Sequence, residues 1–516
     1  MSGSVRTHLS QASAADRVGA VAARMIDRRP DSLLRGPPSL ADGSGGGTLA
    51  HIFIRALFAT GLTYSLGSIG PARAAPPGIL FGETVLPSEA PGPPSDFWTQ
   101  SNLLGDLGGL RPWMQYYGLQ LGITETSEIL GNPTGGIHQG AIYEGVTDLN
   151  LGWDLRTYFG WRGVLFARAY QIHGRGLSTN NLDNLNIASG IEADRATRLY
   201  ELWYEHHFGD WLRIRVGEQS AGQEFIISTN AKLFVNSTFG WPTLPGTDLP
   251  SGGPNYPVST PAVRFRIDAT EALTFFAGMF NGSPTGAPAG AVDPQRYDPS
   301  GTAFHINDGA FAIFETRYNP DNSPKNGTYR LGAWYNSEKF PSQNFSSNRV
   351  SLASPLSSGM PQLLANDYSV YGIIDQPLFP AKDDNDNTGW NVFGRAMGAP
   401  GDRNLVDFYF DGGLEYKGPF GRANDTVGLA YGYARIGNPA RLLDTDIATV
   451  SGSYHPVRSQ ETVVELTYQW TVSPWLQLQP DFQYVSNLGG GIVNPNAPGQ
   501  KIGNAAVFGL RTIIQF

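Results

Sequence analysis

The chain has 516 residues, a net charge of −9, only 16% charged residues and no cysteine. The missing thiols exclude a disulfide framework, a thiolate metal centre and a cysteine nucleophile, and the acidic balance argues against nucleic acid as a partner. Mean hydropathy is −0.23; this excludes no membrane barrel, because strands with one wet and one apolar face average out to such a value.

Residues 1–50 carry no fold signal. A short apolar run, Ala56 to Leu66 (ALFATGLTYSL), follows Arg55, and Ala72-Arg73-Ala74 gives the small-x-small pattern of a cleavage site. Residues 1–74 therefore read as an N-terminal extension and export signal, with the mature chain starting at Ala75. The run is too short for a spanning helix, and no other segment approaches about 20 apolar residues. A membrane location then demands a closed barrel, in which every backbone group is paired. Residues 75–117 read as a Pro-rich linker and a pre-barrel segment (DFWTQSNLLGDLGGLRPWMQYY) that holds a short helix; residues 118–516 read as the barrel itself.

Strand side chains alternate between faces, and the chain follows that code repeatedly. From Arg198 to Gln219, Tyr200, Leu202 and Tyr204 are expected on one face and Glu201, Trp203 and Glu205 on the other. The turn Phe208-Gly209-Asp210 sends the chain back with Leu212, Ile214 and Val216 opposed to Arg213, Arg215 and Gln219. A short turn fixes the register, so Glu201 and Glu205 should lie near Arg213 and Arg215. Val263, Phe265 and Ile267 alternate with Arg264 and Arg266, and Phe314 and Tyr318 with Glu315 and Arg317. Phe408, Phe410 and Leu414 alternate with Asp407, Asp411 and Glu415, and Val464, Leu466 and Tyr468 with Glu461, Glu465 and Gln469. The last strand, NAAVFGLRTIIQF, has an apolar and a mostly polar face and ends on Phe516.

About sixteen such segments fit between Leu119 and Phe516, an even number as a closed antiparallel barrel requires. Short linkers (HHFGDW, DATEA, TVSPW) contrast with long ones rich in Gly, Pro, Asn and Ser, expected at Asn236–Pro261, Asn281–Asp308 and Asn336–Asp367. That contrast matches the periplasmic and extracellular ends of an outer-membrane barrel. The fold class is all-β: a transmembrane antiparallel barrel behind a short, partly helical N-terminal segment.

The segments LLGDLGGLRPWMQYYGLQLGI, RIRVGEQSAGQEFIIS, STFGWP, LQPDFQYV and NAAVFGLRTIIQF span Leu103 to Phe516. As an ensemble they resemble the OprB-type carbohydrate-selective porins of Gram-negative outer membranes. The resemblance implies a sixteen-stranded barrel through which glucose-type sugars diffuse, with outer-membrane lipid around it. The chain departs from the pattern in its long prefix and at Leu107, where a Trp is expected.

Sugar passage needs donors and acceptors fixed in a narrow polar pore, and Arg forks and carboxylates supply them. The candidate lining is Glu201, Glu205, Arg213, Arg215, Arg264, Arg266, Glu315, Arg317 and Arg330, with Trp203 and Trp334 as stacking platforms for a pyranose face. The expected partners are small neutral sugars reaching a monomeric channel, with no cofactor and no metal. A general or anion-preferring porin is the alternative, and an outer-membrane enzyme a remote one. Glu201 and Glu205 stand about 13 Å apart along a strand, outside the roughly 5 to 9.5 Å of paired glycosidase carboxylates. His206 and His207 are strand neighbours and point to opposite faces. The run Asp383 to Gly389 (DDNDNTG) has the oxygen ligands of a calcium loop, but Arg395 stands where the closing Glu belongs, so it reads as a polar loop.

Overall fold

The computed structural model describes residues 96–516, apart from 289–290, 292, 321–325 and 380–387, and a small pairing of Leu80–Phe81 with Thr84–Val85 ahead of them. The export-signal reading of residues 1–74 and the acidic run 383–387 lie outside the described residues.

Sixteen antiparallel strands close on themselves. In chain order they are β1 Leu119–Gly136, β2 Gly140–Asp154, β3 Gly163–Gly174, β4 Ala196–Phe208, β5 Leu212–Gln219, β6 Thr260–Asp268, β7 Leu273–Asn281, β8 Ala310–Tyr318, β9 Thr328–Ser346, β10 Pro361–Pro377, β11 Gly389–Gly398, β12 Val406–Lys417, β13 Thr426–Ile436, β14 Gln460–Ser473, β15 Leu476–Ser486 and β16 Gly503–Gln515. The last strand pairs with both β15 and β1, so no edge is left open.

The distribution of polarity is inverted relative to a water-soluble protein. Leu149, Leu202, Phe314, Leu331, Val370, Leu466 and Phe508 are exposed on the outside, while Glu128, Glu315, Asp411, Glu461 and Glu465 are fully buried inside. A continuous apolar exterior of this kind is stable against lipid, not water. Tyr158, Trp161, Trp211, Tyr318, Trp390 and Phe420 are exposed around the end that carries the short connections 209–211, 269–272 and 474–475. They form the aromatic girdle of a membrane–water boundary. Connections 175–195, 220–259, 282–309 and 437–459 crowd the opposite end.

Two local expectations fail, each for a physical reason. Arg168 faces Glu201 across the ladder but Ala169 faces Leu199, so Tyr200 is an extra, bulged residue. The bulge resets the alternation and turns Tyr200 inward, where it is fully buried against Tyr170 at 4.7 Å between ring centroids. It does not share the lipid face of Leu202. The stretch Asn336–Asp367 is not a loop throughout: β9 runs on to Ser346 and β10 begins at Pro361, with a register shift between Asn336 and Lys339. This hairpin extends past the apolar band on the long-loop side, where its buried face carries Ser342, Asn344 and Ser346, so no hydrophobic alternation betrays the strand.

The pre-barrel segment contains the helix Leu110–Tyr116 and sits across the barrel closure. Leu103 N donates to Gln515 O at 2.7 Å, Arg111 donates to Leu121 O at 2.8 Å and to the Phe516 carbonyl oxygen, and Phe97 and Trp98 pack on Trp475. The segment thus ties β16 to β1 at the short-turn end.

Candidate channel lining

The forty-residue connection 220–259 between β5 and β6 folds into the barrel instead of standing above it. Its Phe225, Ile226, Trp241, Leu244 and Leu249 bury against Phe276, Phe311, Trp334, Tyr371 and Met397 of the wall. Phe234 and Phe239 pack on Phe393 further round. Most of its backbone belongs to no sheet, so its amides and carbonyls need other partners. The far wall supplies them. Ile226 N donates to Glu315 at 2.9 Å, Thr229 N and Asn230 N to Asp375, and Val235 N and Asn236 N to Glu465 at 2.6 and 2.9 Å. The fully buried Arg395 donates to the carbonyls of Ile226, Thr238, Phe239 and Gly240 at 2.7–3.0 Å and to Asp411. Asp248 on the loop accepts from Leu405 N and Val406 N, and burial holds its carboxyl well above the usual carboxylate range against those two bonds. The connection 175–195 also turns inward and donates Leu185 N and Asn186 N to Glu461.

The opposite wall, β2 to β6, meets only the two ends of this loop and carries a ladder of alternating charge. Asp148 pairs with Arg168 at 3.0 Å, and Arg168 with Glu201 at 3.6 Å. Arg215 pairs with Glu205 at 3.0 Å and lies 3.8 Å from Glu224, which comes from the loop. Arg264 donates to Glu205 and Glu224 at 2.6 Å each. On β8, Arg317 bonds Glu315 at 2.7 Å and donates to the Glu224 carbonyl oxygen. Cross-strand register explains these contacts: Glu205 faces Arg215, and Arg215 faces Arg264, all on the inward phase.

Of the residues expected at the channel, Glu205, Arg215, Arg264, Glu315 and Arg317 come together around Glu224. Glu201 joins Arg168 instead. Arg213 and Arg266 lie nearer the short-turn end and share Asp268, at 3.5 and 2.9 Å. Arg330 is buried and donates to Thr229 of the loop at 3.4 Å. Trp203 is inward but sandwiched, with Phe166 stacked at 4.9 Å and the Arg215 guanidinium 3.9 Å above its ring. Trp334 is part of the apolar core under the loop, 5.8 Å from Phe311 between ring centroids. Asp148 and Arg168 were missed because small neighbours, Ala167 and Ala169, weaken the alternation of β3; the pairing of an inward Arg with that phase was the available signal. Glu224 sits on a loop and had none. No cluster fit to hold a metal occurs among the described residues.

The family model described as carbohydrate-selective porin, OprB family, matches residues 138–516. Porin B of Pseudomonas aeruginosa is 24% identical over 457 residues, covering 83% of this chain and 93% of that protein. The high-pH structure of Pseudomonas putida OprB superposes with a TM-score of 0.72 at 23% identity, covering 82% of this chain and all of that one. At that identity the structural likeness speaks for the fold.

Proposed function

The chain belongs to the carbohydrate-selective porin, OprB family; it is a porin of the Gram-negative outer membrane through which small carbohydrates diffuse, a channel and not an enzyme, and on that premise we propose that neutral sugars of hexose size pass along the Asp148–Arg168–Glu201–Glu205–Arg264 wall. The observation that carries this reading is the near-compensation of charge along that wall. Arg168, Arg215, Arg264 and Arg317 are set against Asp148, Glu201, Glu205, Glu224 and Glu315, each cation within 4.0 Å of a carboxylate. Four guanidinium groups against five carboxylates leave a permeant ion little net charge to bind there. A polyol can offer its hydroxyls as donors to the carboxylates and as acceptors to the guanidinium groups at once. The loop 220–259 supports the size limit, because it fills the other side of the lumen.

A liposome-swelling series with sugars of increasing size tests the proposal together with single-channel recording. Swelling should be fast with hexoses and fall steeply for larger sugars, and glucose should reduce the ionic current. A current indifferent to glucose overturns the reading in favour of a general diffusion channel.

A further inference from the structure

At the long-loop end, the ends of β3 and β4, the connection 175–195 and the residues Gln295, Arg296 and Pro299 line an open cavity of about 580 Å³, within the roughly 300–1,000 Å³ typical of small-molecule sites. Arg198 of β4 lines it. That side chain is 3% exposed, and its Nε has no hydrogen-bond partner among the described residues. Of the carboxylates whose charges bear on it, Asp298 takes Thr302 N at 3.2 Å, and Glu218 takes Ser259 Oγ at 3.0 Å on one oxygen while its Oε2, like the Arg198 Nε, is buried with no partner among the described residues. A buried Nε–H with no acceptor among the described residues is costly unless something else supplies one.

The surroundings define what that acceptor is. Asp194 and Arg296, 3.7 Å apart, face the same cavity and add an acceptor and a donor of opposite sign. Glu192 is not free for a ligand, since its oxygens take Ser178 N and Thr179 N. Towards the barrel centre the wall continues as Tyr170, Tyr200 and Tyr256, with centroids 4.7 to 6.3 Å apart, and then reaches Arg168. Polar groups of both signs lining the cavity suit a polyhydroxylated ring, whose hydroxyls donate and accept at once.

We propose that this cavity is an outer capture site for a neutral hexose, held through Arg198, from which the sugar moves inward to the Asp148–Arg168–Glu201 ladder. The assignment rests on the sugar-channel reading above and adds a second station to it. The test is glucose block of single-channel current, with sugar added to one side of the bilayer at a time. Orientation is fixed by streptavidin capture of a biotin on Leu356→Cys, which carries the sole thiol in a cysteine-free chain and is exposed at the long-loop end. Arg198→Gln should weaken block from the long-loop side about tenfold and leave block from the opposite side unchanged. Asp194→Asn, at a more exposed position, should weaken it about twofold and guards against misfolding of the first variant. Equal block of the parent channel and both variants from the long-loop side overturns the capture site alone. A parent channel blocked from neither side overturns the capture site and the sugar reading together.

Discussion

On β10 to β14 three inward charges hold backbone: Asp375, Arg395 and Glu465 bond amides and carbonyls of the loop 220–259, Arg395 while also paired with Asp411. On β2 to β6 the inward charges end on one another, as Asp148 with Arg168 or Glu205 with Arg264. Both sets are buried, and both use carboxylates and Arg. The difference is what removal does. Taking a charge from the first wall frees several backbone groups of the loop and changes the width of the passage; taking one from the second touches the loop at most at Glu224 and chiefly changes the field that a solute meets.

Arg395→Leu should break the comparison most severely. It strands Asp411 in the interior and releases four loop carbonyls, at a cost of about 3–5 kcal/mol. The expected outcome is a lower unfolding temperature in detergent, noisier and larger single-channel conductance, and swelling with sugars that the parent excludes. An unchanged size limit in a folded variant would show that the loop is held without Arg395. Arg395→Lys should restore the limit only in part, because one ammonium cannot reach carbonyls arranged around a planar fork.

Trp334→Ala comes next, at about 3 kcal/mol. Its indole packs with Phe311 beneath the loop, so stability should fall while the affinity of glucose for the channel stays the same. A selective loss of glucose block, with stability retained, would instead return Trp334 to the role of a stacking platform.

How far the sequence carried this distinction depends on what sets each feature. The barrel, its strand number and the inward phase of Glu205, Arg215, Arg264, Glu315 and Arg317 follow from two-residue alternation, which is local and legible. Whether an inward charge meets a loop or another side chain is decided by where the connection 220–259 goes, and no local pattern encodes that. Glu315 shows the problem: it bonds both Arg317 and Ile226 N, and in sequence it looks like Glu201. Tyr200 was misplaced because a bulge inserts one residue without any compositional mark, and Trp334 because an inward aromatic reads alike in a channel and in a core.

Arg264→Ala probes the charged wall. Glu205 keeps Arg215 as a partner, so the stability loss should be about 2 kcal/mol. Removing a cation beside Glu205 and Glu224 should shift the reversal potential in a salt gradient towards cation preference, with the sugar size limit changed less than by Arg395→Leu, because Arg264 holds the loop only through Glu224. A widened size limit without a selectivity change would mean that Arg264 acts on the passage through the loop and not through its charge.

Arg213→Ala should do the same more weakly, and the weakness is the point of it. Arg213 lies towards the short-turn end, with about a quarter of its side chain exposed, and meets Asp268 at 3.5 Å. A pair that wet contributes about 0–1 kcal/mol. Mobile ions screen it over a Debye length of about 10 Å in 0.1 M salt, whereas Arg264 is 2% exposed and little screened. The two variants should therefore separate with ionic strength. In dilute salt both shift the reversal potential towards cations, Arg264→Ala by more. Near 1 M salt, where the Debye length falls to about 3 Å, the Arg213→Ala shift should vanish and the Arg264→Ala shift persist. If both fade together, the buried ladder is as open to ions as the mouth, and the narrow passage must lie elsewhere along the barrel.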